Sequence, residues 1–200
     1  GNKSNETLWS APWLFKNEFA LMAGTSTSGT ITQWFKKEFA KDLNSENAFS
    51  ELSRMAEKSP IGSKNLITLP YFSGERTPIQ NPDACGIIFG LNLTHKREDI
   101  YRSIIEGISY GANHILETFT ESGFKPKKLF AVGGGVKNNI WSSTISNISG
   151  FNQEVKKIPE LAFCVEGKEY RDDFEKCFKK DTSGNVIFDE NNEPILIPEH

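Results

Sequence analysis

The 200-residue chain is predicted to fold as an α/β layer protein. Three observations carry that prediction. A long amphipathic helix pattern spans residues 97–122, and the apolar stretch 129–132 reads as a short buried strand. A glycine turn then leads into a helix over 138–149 and a strand around 152–158. Helix, strand, turn, helix and strand in that order build a layered sheet with ligands at the strand ends.

The elements follow from periodicity and punctuation. Residues 1–17 read as an incoming loop, and 18–23 as a short strand ending in the small-residue turn GTSTSG, 24–29. A helix fits 30–40, with Ile31, Trp34, Phe35 and Phe39 at helical spacing. A second helix around 46–58 is stopped by Pro60 and Gly62. A strand is predicted at 66–72, then the Pro- and Gly-punctuated loop SGERTPIQNP, 73–82, and a further short apolar segment at 86–91.

The helix over 97–122 places Ile100, Ile104, Ile108, Ala112, Ile115 and Phe119 on one face. Thr94 is its expected cap, with Arg97 where a full capping box needs Glu. Gly107 and Gly111 lie four apart and predict close approach of another element, and Gly123 marks the helix end. From Pro159 the composition turns polar, with a helix expected over 170–180 and turns at Gly184 and Asn191.

Bulk properties exclude several classes. A hydrophobic content of 37% supports one sizeable core plus a tail. The net charge of −3, with Lys dispersed among Glu and Asp, leaves no field for nucleic acid. No apolar run reaches membrane-span length, and the polar start GNKSNETLWS does not read as a signal peptide. Cys85, Cys164 and Cys177 are odd in number and unclipped, which suits a reduced, cytoplasmic chain. His95, His114 and His200 form no ligand spacing, and His114 reads as structural.

The most informative segment is LFAVGGGVKNNIW, 129–141. Glycine lets backbone approach a ligand, and a helix start leaves amide donors that suit phosphate. The segment is neither a P-loop nor G-x-G-x-x-G, so by itself it divides evenly between a phosphate cradle and a plain strand-to-helix turn.

Four separated segments agree on a family. GIIFGL at 86–91, seven further residues, then Asp99, Ile100, Ser103, Ile104, Ile105 and Glu106 match the second signature of the FGGY carbohydrate kinases. YFSGERTP at 71–78 is similar to the preceding loop of xylulose-kinase-like members. Residues 24–35 and 133–138 resemble the two nucleotide-facing segments. The chain thus resembles the C-terminal half of that family over roughly residues 15–157.

The resemblance implies an actin-like ATPase (ribonuclease H-like) domain, the C-terminal half of a two-domain sugar kinase. It divides the chain into an incoming loop at 1–17, the kinase domain at 18–157 and an atypical polar tail at 158–200. ATP and Mg²⁺ would sit in a cleft where a sugar or polyol hydroxyl receives the γ-phosphoryl group. Gly29 and Gln33 match one pair of nucleotide-contacting positions, and Gly134 and Asn138 a second pair with the same spacing.

Physical readings compete at each position. Gln33 otherwise reads as a surface helix residue, while Asn138 can cap a helix and touch a nucleotide at once. Glu75 and Arg76 tempt a catalytic reading, but a structural ion pair or loop anchor is preferred. No catalytic residue and no metal ligand is assigned on this chain. The resemblance places the catalytic aspartate, the metal carboxylates and most sugar contacts N-terminal to Gly1. In place of the family's Gly-Ala-Ser-Tyr-Gly-Asp-Ala-like helix stands KIPELAFC, 157–164.

The expected partners are a nucleotide and, through the other domain, a sugar or polyol, with a homodimer left open and no nucleic acid or membrane. Expected function is that of the nucleotide-binding domain of a sugar kinase, inactive alone. The alternatives are a split kinase completed by a separate N-terminal half, and a non-catalytic interaction module.

Overall fold

The computed structural model describes residues 7–13, 18–44 and 46–155. The predicted tail elements lie outside the described residues. β1 (Trp9–Pro12) and β2 (Phe19–Met22) form an antiparallel hairpin, with Trp9 opposite Met22 and Pro12 opposite Phe19. Residues 9–12 are thus a strand where the sequence predicts loop. Pro12 lacks a ladder donor, which weakens any strand pattern that contains it.

Helix α1 (Gly29–Phe39) buries Ile31 and Phe35, and Lys36 and Lys37 complement the dipole at its last turn. Helix α2 (Ala48–Ala56) is shorter than predicted and buries Ala48, Leu52 and Ala56 at four-residue steps. A tight turn at Ser63–Asn65 follows. Gly62, Ser63, Lys64 and Asn65 all have positive φ, at 83°, 49°, 54° and 70°. Such angles cost non-glycine residues on the order of 1 kcal/mol each, so the turn needs outside support.

β3 (Ile67–Leu69) and β4 (Ile87–Phe89) pair antiparallel, Ile67 opposite Phe89 and Leu69 opposite Ile87. Their polarity is inverted. Thr68 is buried, hydrogen-bonded at 2.8 Å to Ser103 Oγ, while Ile67, Leu69, Ile87 and Phe89 are exposed.

Helix α3 (Arg97–Glu121) is the axis of the domain. Tyr101, Ile104, Ile105 and Ile108 are buried in one cluster with Ile31, Phe35, Leu52 and Ile140. Each such side chain is worth about 2 kcal/mol of burial. Full burial lifts the Tyr101 hydroxyl pKa to about 12. Gly107 lets β3 reach the helix, because a Cβ there would lie 2.3 Å from Thr68 O. The close approach expected of this glycine is therefore present.

The expected cap of α3 is corrected. Thr94 hydrogen-bonds Asn92 Oδ1 instead, and Lys96 occupies the cap position, its N–H donating to Asp99 Oδ2 at 2.8 Å. A carboxylate at the third helical residue thus supplies half of a capping box. The helix ends at Gly123 as predicted, with Phe124 N–H on Phe119 O and Gly123 N–H on Thr120 O.

β5 (Leu129–Ala131) and β6 (Gln153–Val155) pair parallel, joined through α4 (Asn139–Ser149). This βαβ unit is the layered arrangement that the element order predicts. No helix among the described residues is long and apolar enough to cross a membrane.

Candidate functional site

The two predicted glycine-bearing turns sit on elements that pack against α3. Ile31 and Phe35 of α1 and Ile140 of α4 share its core. Gly29 opens α1 and Gln33 follows one turn later, exposed. The first turn of α1 carries no acidic side chain of its own. A Cβ at Gly29 would meet nothing within 4 Å. Gln33 borders a shallow recess of about 770 Å³, with Trp34, Lys37 and Leu43 on its other sides.

On the second turn, Gly133 leaves β5 with φ 89°, and a short 3₁₀ turn over Gly134–Lys137 precedes α4. The glycine turn that the sequence predicts ahead of the helix is thus present, and the helix starts one residue later than the predicted 138. Gly134 is exposed, and a Cβ there meets nothing within 4 Å. Asn138 caps α4, its Oδ1 accepting the Trp141 backbone N–H at 3.2 Å. The capping role is realised, and the Nδ2 amide is left to donate elsewhere. The Trp141 ring lies behind the turn, 3.4 Å from a Cβ built on Gly135. Its buried indole N–H has no acceptor among the described residues.

These features fit a nucleotide. Two glycines leave open backbone, and the Asn138 side-chain amide stands at the second turn. Among the described residues no three His, Cys, Asp or Glu side chains gather around a point, so no Mg²⁺ ligand is assigned.

Glu75 and Arg76 separate in the structure. Glu75 is buried, and its Oε1 accepts the backbone N–H groups of Ser26 at 3.2 Å and Arg76 at 2.7 Å. Glu75 is thus the loop anchor that the sequence reading prefers, and the pair is not an ion pair. Burial, and then the Glu75 charge, push the Tyr71 hydroxyl pKa upward. Arg76 is exposed.

Sequence reasoning missed a polar network beneath the signature. Glu106 accepts Gly62 N–H at 3.0 Å, Ser63 Oγ–H at 2.7 Å and Arg102 Nε–H at 2.9 Å. Asp99 accepts Ser59 Oγ–H at 2.8 Å and Lys64 Nζ at 2.9 Å. Burial opposes the Asp99 charge, but the bonds from Lys64, Lys96 and Ser59 outweigh it and hold the carboxyl below its ordinary value. The two carboxylates clamp the left-handed turn at 62–65. The i,i+4 spacing of Arg102 and Glu106 was the readable signal.

The model of the FGGY family of carbohydrate kinases, C-terminal domain, matches residues 10–164. The chain belongs to this family. It is 34% identical over 143 residues to xylulose kinase from Bacillus subtilis, covering 72% of this chain and 28% of that protein. It is 30% identical over 168 residues to gluconokinase from Bacillus licheniformis, covering 77% and 32%.

Among solved structures, xylulose kinase from Rhodospirillum rubrum superposes with TM-score 0.70 at 26% identity, covering 78% of this chain and 31% of that one. Plasmodium falciparum glycerol kinase, solved with ADP, gives TM-score 0.62 at 28% identity, covering 72% and 28%. The fold is accordingly that of the actin-like ATPases. The chain spans about a third or less of the length of these FGGY relatives.

Proposed function

We propose that this FGGY chain is the nucleotide-binding part of an ATP-dependent sugar or polyol kinase. The observation that carries the reading is the open backbone at Gly29 and Gly134 within a chain of this family. ADP lies along these two turns, with Gln33 and Asn138 contributing side-chain amides. The parallel β5–α4–β6 unit supports a ribonuclease H-like core at residues 18–157. ATP would supply the phosphoryl group, held in part by these two turns, and Mg²⁺ would neutralise phosphate charge, with no ligand for it assigned among the described residues.

The 200 residues alone do not turn over. Phosphoryl transfer rests on positioning and on charge stabilisation, and a single face of a cleft supplies little of either. ADP on an open face is exposed to the full dielectric of water. Its expected affinity is millimolar, about 4 kcal/mol. Titration with ADP, followed by amide NMR shifts, tests this. Shifts centred on Gly29, Gln33, Gly134 and Asn138 support the site. Shifts that map elsewhere, or none, overturn it. ADP release dependent on glycerol or xylulose, above a contaminant control, would show that the chain is active alone.

A further inference from the structure

A second cavity lies beside the first glycine turn. It is an open recess of about 450 Å³ between the 73–82 loop and the segment after β2, with Trp9, Ser26, Ser73, Glu75, Arg76 and Gln80 on its walls. That volume is within the range of small-ligand sites. The loop is fixed in place. Thr77 N–H donates to Gly24 O at 3.1 Å, and Thr77 Oγ–H to Thr7 O at 3.0 Å. Glu75 and Asn81 exchange backbone hydrogen bonds at 2.8 and 2.9 Å.

Arg76 is the only cation among the described residues on these walls. An adjacent carboxylate would normally neutralise an arginine. Here Glu75 Oε1 is turned inward onto two backbone N–H groups, one of them from Arg76 itself. The anchor therefore fixes the backbone of Arg76 while leaving its guanidinium unpaired among the described residues. A planar guanidinium on the walls of a cavity that two serines also line is suited to bidentate capture of an oxyanion. The remaining Glu75 charge opposes binding, so the affinity is modest.

We propose that this cavity is a phosphate subsite of the kinase, with Arg76 as its cation and Glu75 as the residue that positions it. The proposal rests on the kinase reading, because the cavity adjoins the turn that leads to Gly29. The phosphate belongs either to the nucleotide or to the phosphorylated sugar. The guanidinium would then hold a group whose charge changes during transfer.

The test uses the whole 200-residue chain, titrated separately with inorganic phosphate, ADP and xylulose 5-phosphate and followed by amide and arginine side-chain NMR. Phosphate is expected to shift Ser26, Ser73 and Arg76. Arg76→Gln should weaken that response about tenfold, and Arg76→Lys should weaken it less. The unperturbed amide spectrum of α3, remote from Arg76, serves as the folding control. A loss of ADP affinity in Arg76→Gln assigns the phosphate to the nucleotide. A loss confined to xylulose 5-phosphate assigns it to the product. If phosphate leaves Ser26 and Arg76 unmoved at tens of millimolar, or moves them equally in Arg76→Gln, the subsite is wrong. Phosphate shifts at Arg76 with no ADP shifts at Gly29 and Gly134 would keep the subsite and overturn the nucleotide site.

Discussion

Two regions of this domain treat their polar groups in opposite ways. Around the N-terminal half of α3, Asp99, Ser103 and Glu106 are buried and fully engaged, and a left-handed turn is clamped onto them. Around the 133–138 turn the backbone is open, and the buried Trp141 indole donor has no partner among the described residues. The tied region coincides with the most specific motif in the sequence, yet its residues face one another. The open region has the weaker motif, and its glycine backbone faces open space. A signature can therefore mark a family through what its scaffold requires. Ligand-facing groups are better sought where hydrogen-bonding capacity is left over.

The largest effects should come from breaking the tied region. Glu106→Ala removes the acceptor of three donors and leaves Arg102 charged and mostly buried. The expected loss is about 3–5 kcal/mol, read from urea unfolding. Gly107→Ala should cost about 3 kcal/mol, because its methyl would meet backbone rather than a yielding side chain. A loss under about 1 kcal/mol in both would mean that the clamp is decorative.

Asp99 sharpens the comparison through pH. Its folded pKa lies below the ordinary value of 3.8. The carboxylate therefore contributes stability that is fully present above about pH 4 and fades as pH falls through the folded value. Asp99→Asn should lose about 2 kcal/mol at neutral pH, where Lys64 and the Lys96 N–H lose a charged acceptor. The gap between variant and parent should narrow below pH 4 in thermal melts. A gap independent of pH would assign the loss to packing alone.

Much of this was legible in the sequence, and the misses have physical causes. The spacing of Ile104 and Ile108 announced α3, and Gly123 its end. The 24–29 and 133–138 turns were legible as small-residue punctuation. The β1 strand was hidden because its four residues include Pro12 and depend on pairing with β2. The inverted β3–β4 ribbon was illegible because Thr68 turns inward only to satisfy Ser103, a contact 35 residues away. The separation of Glu75 from Arg76 depends on Ser26 N–H, supplied by a turn 49 residues upstream. Contacts at that separation leave no local pattern to read.

The smallest stability effect, and the sharpest functional one, belongs to Gly134. Nothing lies within 4 Å of a Cβ there, so Gly134→Val meets no steric obstacle in the protein. Its φ is not positive, so a side chain adds little backbone strain. Unfolding free energy should change by less than about 0.5 kcal/mol, as for ordinary surface substitutions. The same space is where the phosphates of ADP are expected, and a branched side chain would stand in their path. Millimolar ADP binding should therefore vanish while the melting curve stays in place. Gly107→Ala should show the reverse ordering, a shifted melt with ADP shifts retained under native conditions. If Gly134→Val binds ADP as well as the parent chain, the open turn is a plain strand-to-helix connection. The contrast between the two regions would then concern stability alone.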